Sequence, residues 1–517
     1  MGTRKKERDK KMRLAKVTAA LALTIIFAAG CLTPAFAYVP YDPYDEEEDT
    51  EEVALPTFST TWFDNHQRDT EFTLYTASQL EGLAYLVNQS HYDGYVGNKY
   101  ESFRGKTIRL GRDITIRDTF TPIGRSEDVC FEGTFDGNGH SVTVDINENG
   151  GYTGFFGYLD GTVQGLTIKG IIRSSGNECG AVAGHLGKSG LIMKCMSDAS
   201  VRGGSKTGGI AGYNNGGTIE RCVNNGDVRG TFKVGGVTGE NWGNVIKCGN
   251  RGKIVSTERG ATTYGTGGVC GRSVSKDSII EECFNTGNVI SGTEGTGGIC
   301  GYMNAKGSKI VNCYNTGHIK VNNNKLLSQN GIHGYAGGIV GIAGVKGVVL
   351  SNCYNAGSIV NSDISGGIIG DYLDESKFVD DPYISNNYYL SINGVKGIGS
   401  DNEGDSKNIR EGTDRIAQAT LISGSSKLGE TYIDDSQNYY GANGYPALRW
   451  QKKLGKVKST RLPCISAGMQ KEFDNYMLKN PAYERPEWPV LIFFNHSAFT
   501  SQAIGDFHEE QLKKYTH

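Results

Sequence analysis

The residues of this 517-residue chain that could do chemistry are its 12 cysteines, its nine histidines and a scatter of carboxylates. A zinc protease would need two histidines in a His-Glu-x-x-His helix, and no pair of histidines has that spacing. His508-Glu509-Glu510 begins like such a motif and lacks the second histidine. The sequence therefore predicts no metal site, no cofactor and no catalytic residue.

Polysaccharide-cleaving enzymes act through two positioned carboxylates, and five acidic residues are candidates for such a pair. They are Asp136, Glu220, Glu240, Glu281 and Glu282. Asp136 is better explained as part of a turn. Strict strand alternation would aim Glu220 and Glu281 inward, where an unpaired carboxylate is costly, so we expect a turn beside each. No pair stands out. We expect that the chain is not an enzyme, and a β-helix polysaccharide lyase or hydrolase is the alternative.

Six of the cysteines recur at one position of successive sequence units. In a parallel stack, equivalent positions lie about 4.8 Å apart, which predicts an inward-facing ladder of free thiols. Disulfides between neighbouring units are the alternative, although their Cβ atoms would point in parallel directions. Cys270 and Cys300 would form a second, short ladder. The six ladder residues are Cys195, Cys222, Cys248, Cys283, Cys313 and Cys353.

An asparagine follows most ladder cysteines by two positions. Stacked amides can hydrogen-bond along the column, and each asparagine can also favour its own turn. Neither role gives the asparagines any chemistry. The column consists of Asn224, Asn250, Asn285, Asn315 and Asn355.

These columns depend on a Gly-rich element that opens each unit, as in Thr207-Gly-Gly-Ile-Ala-Gly212 and Thr296-Gly-Gly-Ile-Cys-Gly301. The Gly-Gly pairs recur every 27 to 40 residues, a spacing typical of solenoids. Helical repeats are disfavoured because each interior glycine costs a helix about 1 kcal/mol. The pattern predicts an all-β fold, a right-handed parallel β-helix with about three short strands per coil and a cap at each end.

The remaining sequence divides around this solenoid. Thr76 begins a capping box, and the apolar residues that follow it predict a short helix in an α/β N-terminal cap. A second helix is expected over Asp414 to Leu421. The predicted segments are a signal peptide (1–37), an acidic linker (38–55), an N-terminal cap (56–125), the repeat β-helix (126–390), a C-terminal cap (391–450) and a tail of unknown role (451–517).

The N-terminus predicts export. Eight basic residues precede an apolar run, and Ala35-Phe36-Ala37 fits a cleavage site after Ala37. Lipidation at Cys31 and an uncleaved membrane anchor are the alternatives. Beyond residue 37 the chain has 45 basic and 54 acidic residues, which argues against a nucleic-acid partner. We expect a secreted or cell-surface protein, with membrane attachment only through Cys31.

Several phrases of the chain resemble the GLUG motif, named for its Gly-Leu-any-Gly core. They span roughly residues 72–451 and include Phe120-Thr-Pro-Ile-Gly124, the Cys-Tyr-Asn units and Gly444-Tyr-Pro-Ala-Leu-Arg-Trp450. The resemblance implies a bacterial surface protein with an adhesin-like β-helix, a type sometimes joined to an immunoglobulin-A1 metalloprotease. The family has no agreed ligand, so the resemblance implies location and architecture more than activity.

A binding role would use the loops between units, because the coil cores are fixed. The longest insertions contain Tyr264, His333 and Tyr335, which we predict to contact a ligand. The expected partner is an extracellular glycan or a host or microbial surface protein. The alternatives are that these insertions are merely tolerated, or that the chain is an inert spacer.

Overall fold

The computed structural model describes residues 58–89, 101–257, 264–292, 294–322, 334–345, 347–372, 383–390, 395–401, 412–423 and 425–455. The described residues belong to one compact unit, Thr57–His517. They form a parallel β-helix in three sheets, which confirms the predicted fold class. Among them, no helix has the length and apolarity that crossing a bilayer requires.

Sheet A is a single ladder of 11 short parallel strands within the described residues. Its central residue is Ile or Val in most rungs and is fully buried, which stabilises each rung by about 1.5–3 kcal/mol. The strands are Glu71–Leu74, Thr107–Leu110, Thr134–Asp136, Thr162–Gln164, Leu191–Met193, Thr218–Glu220, Asn244–Ile246, Ile279–Glu281, Lys309–Val311, Val349–Ser351 and Ile384–Ser385.

Sheet B splits into two parallel ladders after its three N-terminal strands, Ile114–Thr119, Ser141–Glu148 and Thr167–Ser174. Ladder B1 contains Met196–Ser197, Val223–Asn224, Gly249–Asn250, Phe284–Asn285, Tyr314–Asn315, Tyr354–Asn355, Asn387–Leu390 and Thr413–Ile416. Ladder B2 contains Ser200–Arg202, Val228–Gly230, Ile254–Ser256, Val289–Ser291, Ile319–Val321 and Ile359–Val360.

Sheet C also has two ladders, which the long strand Ile364–Tyr372 joins before it pairs with Lys396–Asp401. Ladder C1 contains Cys179–Gly180, Thr207–Gly208, Val234–Gly235, Gly265–Gly267, Gly295–Gly297 and Tyr335–Gly337. Ladder C2 contains Phe156–Leu159, Ala183–Leu186, Ala211–Asn214, Thr238–Asn241, Cys270–Ser273, Cys300–Met303 and Val340–Ala343. A typical coil thus has five short strands rather than the three expected, because the glycines bend two of the three sides.

A small α/β cap covers the N-terminal coils. Helix Ala77–Asn88 begins with the predicted capping box, in which Thr76 and Gln79 satisfy each other's backbone N–H groups. Its apolar stripe, which includes Leu80, Leu83 and Val87, is fully buried against the first rungs. A four-residue helix, Thr61–Asp64, lies before it in the chain.

The segment after the last rung closes the structure and also lies along its flank. The predicted helix from Asp414 is wrong in its first half, because Thr413–Ile416 pairs as a parallel strand with Asn387–Leu390. Helices Gln418–Ser423 and Ser425–Leu428 follow. The segment ends with the antiparallel pair Tyr432–Ile433 and Ala447–Leu448 and the 3₁₀ helix Arg449–Leu454.

This closing segment packs on the outside of ladder B1. Tyr432 donates a hydrogen bond to the Asn352 carbonyl (2.9 Å), and Trp450 donates one to the Glu282 carbonyl (2.9 Å). Tyr314 and Gln451 are joined side chain to side chain at 3.0 Å. The segment therefore covers several coils at once as well as the end of the stack.

Candidate functional site

The six ladder cysteines lie where the sequence predicts, fully buried at the corner between sheets A and B. All ten cysteines of the described residues are free thiols. The thiols of Cys248, Cys283, Cys313 and Cys353 each accept the backbone N–H of the cysteine in the preceding rung, and the distance from Cys222 N to Cys248 Sγ is 3.4 Å. Burial raises the pKa of Cys283 well above that of an ordinary thiol. These thiols are protonated and have a structural role. The shorter ladder also forms, because Cys270 and Cys300 are register partners.

The asparagine column is a continuous chain of side-chain amides. Each Nδ2 donates to the Oδ1 of the next asparagine at 2.8 Å and also to a glycine carbonyl two residues further on. Both roles predicted for these residues are therefore present together. A second pair, Asn214 and Asn241, repeats the arrangement on sheet C at 2.8 Å.

Three of the candidate carboxylates lie on the solvent side of the sheet A corner. The residue before each ladder cysteine has a left-handed backbone, with φ of +53° at Arg221 and +49° at Glu282. This turn breaks strand alternation, so Glu220 and Glu281 are partly exposed rather than buried, as predicted. Glu220 forms an ion pair with Arg221 at 2.7 Å, and Glu282 forms one with Lys247 at 3.3 Å. These contacts are ordinary surface pairs.

The candidate functional site is on the outer side of sheet C. We call it the charged strip and define it by Glu178, His185, Lys206, Lys233, Glu240 and Arg272. Its side chains come from successive rungs and connect into one network of ion pairs. None of them is among the residues that the sequence analysis selected except Glu240.

Two backbone positions create the strip. Glu178, Lys206 and Lys233 each precede a ladder C1 strand in a left-handed conformation, with φ between +55° and +62°. His185 and Glu240 belong to a register column of ladder C2, in which each residue follows the closing glycine of its unit. The two columns are adjacent because the Gly-rich bend separates them by only a few residues.

Glu240 is at the centre of the strip, and its side chain is only 7% exposed. Lys233 Nζ lies 2.5 Å from Glu240 Oε2, Arg272 lies 4.0 Å from the same oxygen, and Lys206 lies 3.9 Å from Oε1. Trp242 donates its indole N–H to Oε1 at 3.3 Å, yet the Trp242 side chain is 45% exposed. One buried carboxylate thus holds three cations and an exposed indole.

Glu178 forms the other acidic centre. Its Oε2 accepts a hydrogen bond from His185 Nδ1 at 2.7 Å, and its Oε1 accepts one from Lys206 at 2.9 Å. Burial acts to raise the pKa of Glu178, but these two donors outweigh it and hold the pKa below its usual value. Glu178 is therefore an ionised carboxylate two rungs from Glu240, and Lys206 lies between them.

Aromatic rings line the strip along the same column. His185 stacks on Tyr158 with ring centroids 4.2 Å apart and meets Tyr213 edge-on at 4.9 Å. Lys206 lies over the Tyr213 ring at 3.9 Å, and Arg272 lies over Tyr302 at 5.7 Å. Burial, followed by the charges of Glu240 and Glu178, raises the pKa of Tyr213 to about 12. Along the solenoid axis this column contains Tyr158, His185, Tyr213, Glu240, Arg272 and Tyr302, so a pair of opposite charges lies between aromatic residues.

One of the three predicted contact residues, Tyr264, lies beside this network. Tyr264 stacks on Phe232 at 4.7 Å, and Lys233 lies 5.4 Å from the centre of the Tyr264 ring. Tyr335 is in ladder C1 as the register partner of Gly295, and burial raises its pKa to about 12. His333 lies outside the described residues. No group of His, Cys, Asp or Glu side chains in the described ranges is suited to hold a metal ion.

The sequence contains a signal for the strip. The residue directly after the closing glycine varies between units and is large and polar or aromatic in most of them, as in His185, Tyr213, Glu240, Arg272 and Tyr302, but not at Ile342. The Gly-Gly pair and the closing glycine before this position recur from unit to unit. A position that varies inside an otherwise repeated element indicates a surface whose side chains can recognise a ligand.

Comparison with known proteins gives distant likenesses. No family model matches the chain. Halomucin of Haloquadratum walsbyi is 32% identical over 97 residues, which is 18% of this chain, and the chain spans 1% of Halomucin. A solved structure named as a candidate immunoglobulin A1 protease from Bacteroides ovatus is 19% identical, with a TM-score of 0.41, over 74% of this chain and 92% of that one. A structure named IgA1 protease is 14% identical, with a TM-score of 0.37, over 78% of this chain and 27% of that one.

These names correct one expectation. The sequence analysis predicted that the chain is not an enzyme, and both solved structures that it matches are named as proteases, so that prediction is contradicted. Its physical basis was also incomplete. No carboxylate pair is visible in the sequence, because Glu178 is two rungs away from Glu240 and reaches the same lysine only through the left-handed turn.

Proposed function

We propose that this chain is a secreted or cell-surface repeat protein that binds an extended ligand along the charged strip. The observation that carries the proposal is the composition of this face, where a network of largely buried charges lies among aromatic rings over successive rungs. The indole of Trp242 is 45% exposed while its N–H is held by Glu240. An exposed ring fixed by a buried partner is pre-organised for contact with a ligand.

The proposed ligand is an extracellular glycan or a glycan-bearing surface protein of a host or another microbe. Sugar rings pack on the faces of tyrosine and tryptophan, and their hydroxyl groups bond to charged side chains. Repeated spacing of such groups suits a chain-like ligand better than a small molecule. A protein ligand without glycans, or an inert spacer, would need no such combination of rings and charges.

The location and repeat type belong to the same proposal. The basic and apolar N-terminal segment, with cleavage after Ala37, supports export, and residues 1–57 lie outside the described part of the chain. The Gly-rich units at each bend of sheet C support our interpretation of them as GLUG-type repeats. Lipidation at Cys31 would be the route to a membrane. Gln451 and the rest of the 3₁₀ helix belong to the closing segment, while residues 456–517 lie outside the described residues and keep no assigned role.

The test is to mix the purified chain with host and microbial polysaccharides and with matrix glycoproteins, and to separate the mixtures by size exclusion. We expect one or more intact polymers to elute together with the protein. Trp242→Ala should abolish this co-elution, whereas Tyr75→Ala, which removes an exposed ring on the N-terminal cap, should not. If every polymer elutes free of protein, the proposal fails.

A second candidate function is cleavage of a polysaccharide, favoured by the pair Glu178 and Glu240. Both carboxylates contact Lys206 Nζ, at 2.9 and 3.9 Å, so their contacting oxygens are no further apart than these two distances together. Paired carboxyl groups in glycoside hydrolases lie about 5 to 9.5 Å apart. The pair is therefore close enough to flank one glycosidic bond.

The same mixtures test this candidate. Catalysis predicts new small fragments of one polymer, and both Glu178→Gln and Glu240→Gln should abolish them. Glu220→Gln, which alters a surface carboxylate on sheet A, is the matched control and should leave the fragments unchanged. Intact polymer at every time point would exclude this second function for the polymers tested.

A further inference from the structure

A separate cavity lies under the N-terminal cap, away from sheet C. Its volume is about 420 Å³, within the range of about 300–1,000 Å³ typical of small-molecule sites. It is bounded by helix Ala77–Asn88 on one side and by the segment that follows strand Ile114–Thr119 on the other. Its lining includes Phe58, Glu81, Tyr85, Asp118, Phe120 and Arg125.

The walls of this cavity are held in place without a ligand. Asn88, near the end of the helix, donates to the Pro122 carbonyl at 2.8 Å and accepts the Gly124 N–H at 2.9 Å. A side chain at Gly82 would collide with the Ser59 carbonyl, so the helix lies close against the chain before it. The two sides of the cavity are therefore fixed relative to each other.

Two carboxylates and one arginine line the cavity. Within the described residues, none of Glu81, Asp118 and Arg125 forms an ion pair. Burial, and then the charge of Asp118, raises the pKa of Glu81. The three charged side chains together have a net charge of −1, which suits a ligand with one positive charge.

Aromatic rings complete the lining. Phe58 and Tyr85 stack with ring centroids 4.2 Å apart, Phe120 is almost fully buried, and Tyr85 is 39% exposed. The faces of such rings attract alkylated ammonium groups, while a metal ion would gain little from them. Inorganic cations would also need a cluster of oxygen ligands that this lining does not offer.

We propose that this cavity is a binding site for a small organic monocation with an ammonium group, either a primary amine or a quaternary ammonium. Glu81 and Asp118 neutralise its charge, and the rings of Phe58 and Tyr85 contact its alkyl part, while Phe120 stacks on Phe155 beneath them. The site is independent of the charged strip. Its occupation does not require the proposed glycan ligand.

Isothermal titration calorimetry of the full chain with choline tests the proposal, and 3,3-dimethyl-1-butanol is the probe of the same shape without charge. We expect saturable binding of choline and none of the alcohol. Butylamine added first should reduce the apparent choline affinity. Equal heats for choline and for the alcohol would overturn the proposal without any variant being made.

Variants locate the site. Glu81→Gln and Asp118→Asn should each weaken choline binding on the order of tenfold, because each removes one attractive charge. Asp277→Asn, an exposed carboxylate on a distant turn, is the control and should change nothing. Choline affinity should also fall as the pH drops through the raised pKa of Glu81. Choline binding that is unaffected by Glu81→Gln and Asp118→Asn would overturn the assignment to this cavity.

Discussion

Two columns of stacked side chains in this solenoid differ in how residue type changes from rung to rung. At the corner after sheet A, every rung from Asn224 to Asn355 repeats the same amide. On the outer side of sheet C, the column that contains His185, Tyr213, Glu240 and Arg272 changes at each rung. An amide can donate to and accept from its own kind, so repetition is stable there. Like charges stacked about 4.8 Å apart repel unless an opposite charge compensates them, so this face is mixed, and the neighbouring Lys206 and Lys233 share Glu240.

Different parts of this molecule provide stability and recognition: the inner columns stabilise the coils, and the charged strip is available to a ligand. Contacts within the inner columns are identical, fully buried and continuous, and they set the register of the coils. Contacts within the charged strip are mixed, partly exposed and different at each rung. Substitutions should therefore divide into those that unfold the solenoid and those that change only what it binds.

The largest effect is expected from Asn285→Ala. This change leaves the Asn250 amide without one acceptor and the Asn315 amide without one donor in a dry interior. We expect a loss of about 3 kcal/mol in the free energy of unfolding, measured by urea denaturation followed by circular dichroism. Asn225→Ala, at a partly exposed turn two rungs away, is the control. A loss below about 1 kcal/mol would show that the amide column does not set stability.

Thiol reactivity gives the next prediction. The ten described cysteines are buried, and burial raises the pKa of each ladder thiol that shows a resolved shift, so they should resist alkylation in the native chain. We expect these ten to react only in denaturant, counted by mass spectrometry after iodoacetamide treatment. Rapid labelling of Cys283 under native conditions would show that the coils open locally. Non-reducing digestion that links two ladder cysteines would contradict the free-thiol ladder.

A smaller effect, with a pH signature, is expected from Glu178→Gln. The folded-state pKa of Glu178 is lowered, so its ionised form stabilises the fold above the unfolded carboxyl pKa. That stability is lost as the pH falls through the lowered pKa. At pH 7 we expect a cost of about 1 to 3 kcal/mol, since two charged donors lose their partner. The difference in melting temperature from the unchanged chain should disappear in acid. A difference independent of pH would contradict the ionised pair.

The smallest effect on stability is expected from Trp242→Ala. Because the ring is 45% exposed, we expect a change in unfolding free energy of less than about 1 kcal/mol, measured by thermal denaturation. The same variant should lose ligand binding. A large loss of stability would mean that the ring is mainly structural and would remove the separation described above.

The sequence predicted the inner columns and not the strip, and the reason is physical. A column of identical residues can be read from an alignment of the units, because register and repetition coincide. That is why the positions of Cys283 and Asn285 are confirmed. Glu178 and Glu240 meet only through a left-handed turn and a two-rung offset, and neither is visible in a repeat pattern.

Errors at the C-terminal end have a related cause. The segment from Asp414 has a helical pattern, yet pairing with Asn387–Leu390 holds Thr413–Ile416 as a strand. Pairing with the open strand edge at the end of the stack outweighs the weak helix propensity of this segment. The five strands per coil were likewise hidden, because strands of two residues leave no periodicity to detect.

The closing segment has a consequence for how the molecule comes apart. In a simple solenoid each coil contacts only its neighbours, so unfolding can spread from any end. Here Tyr432, Gln451 and Trp450 bond to coils that begin far earlier in the chain, at Glu282, Tyr314 and Asn352. The closing segment therefore couples these coils, and they should unfold together as a single cooperative unit once the segment detaches. The N-terminal coils, outside its reach, remain free to fray one at a time.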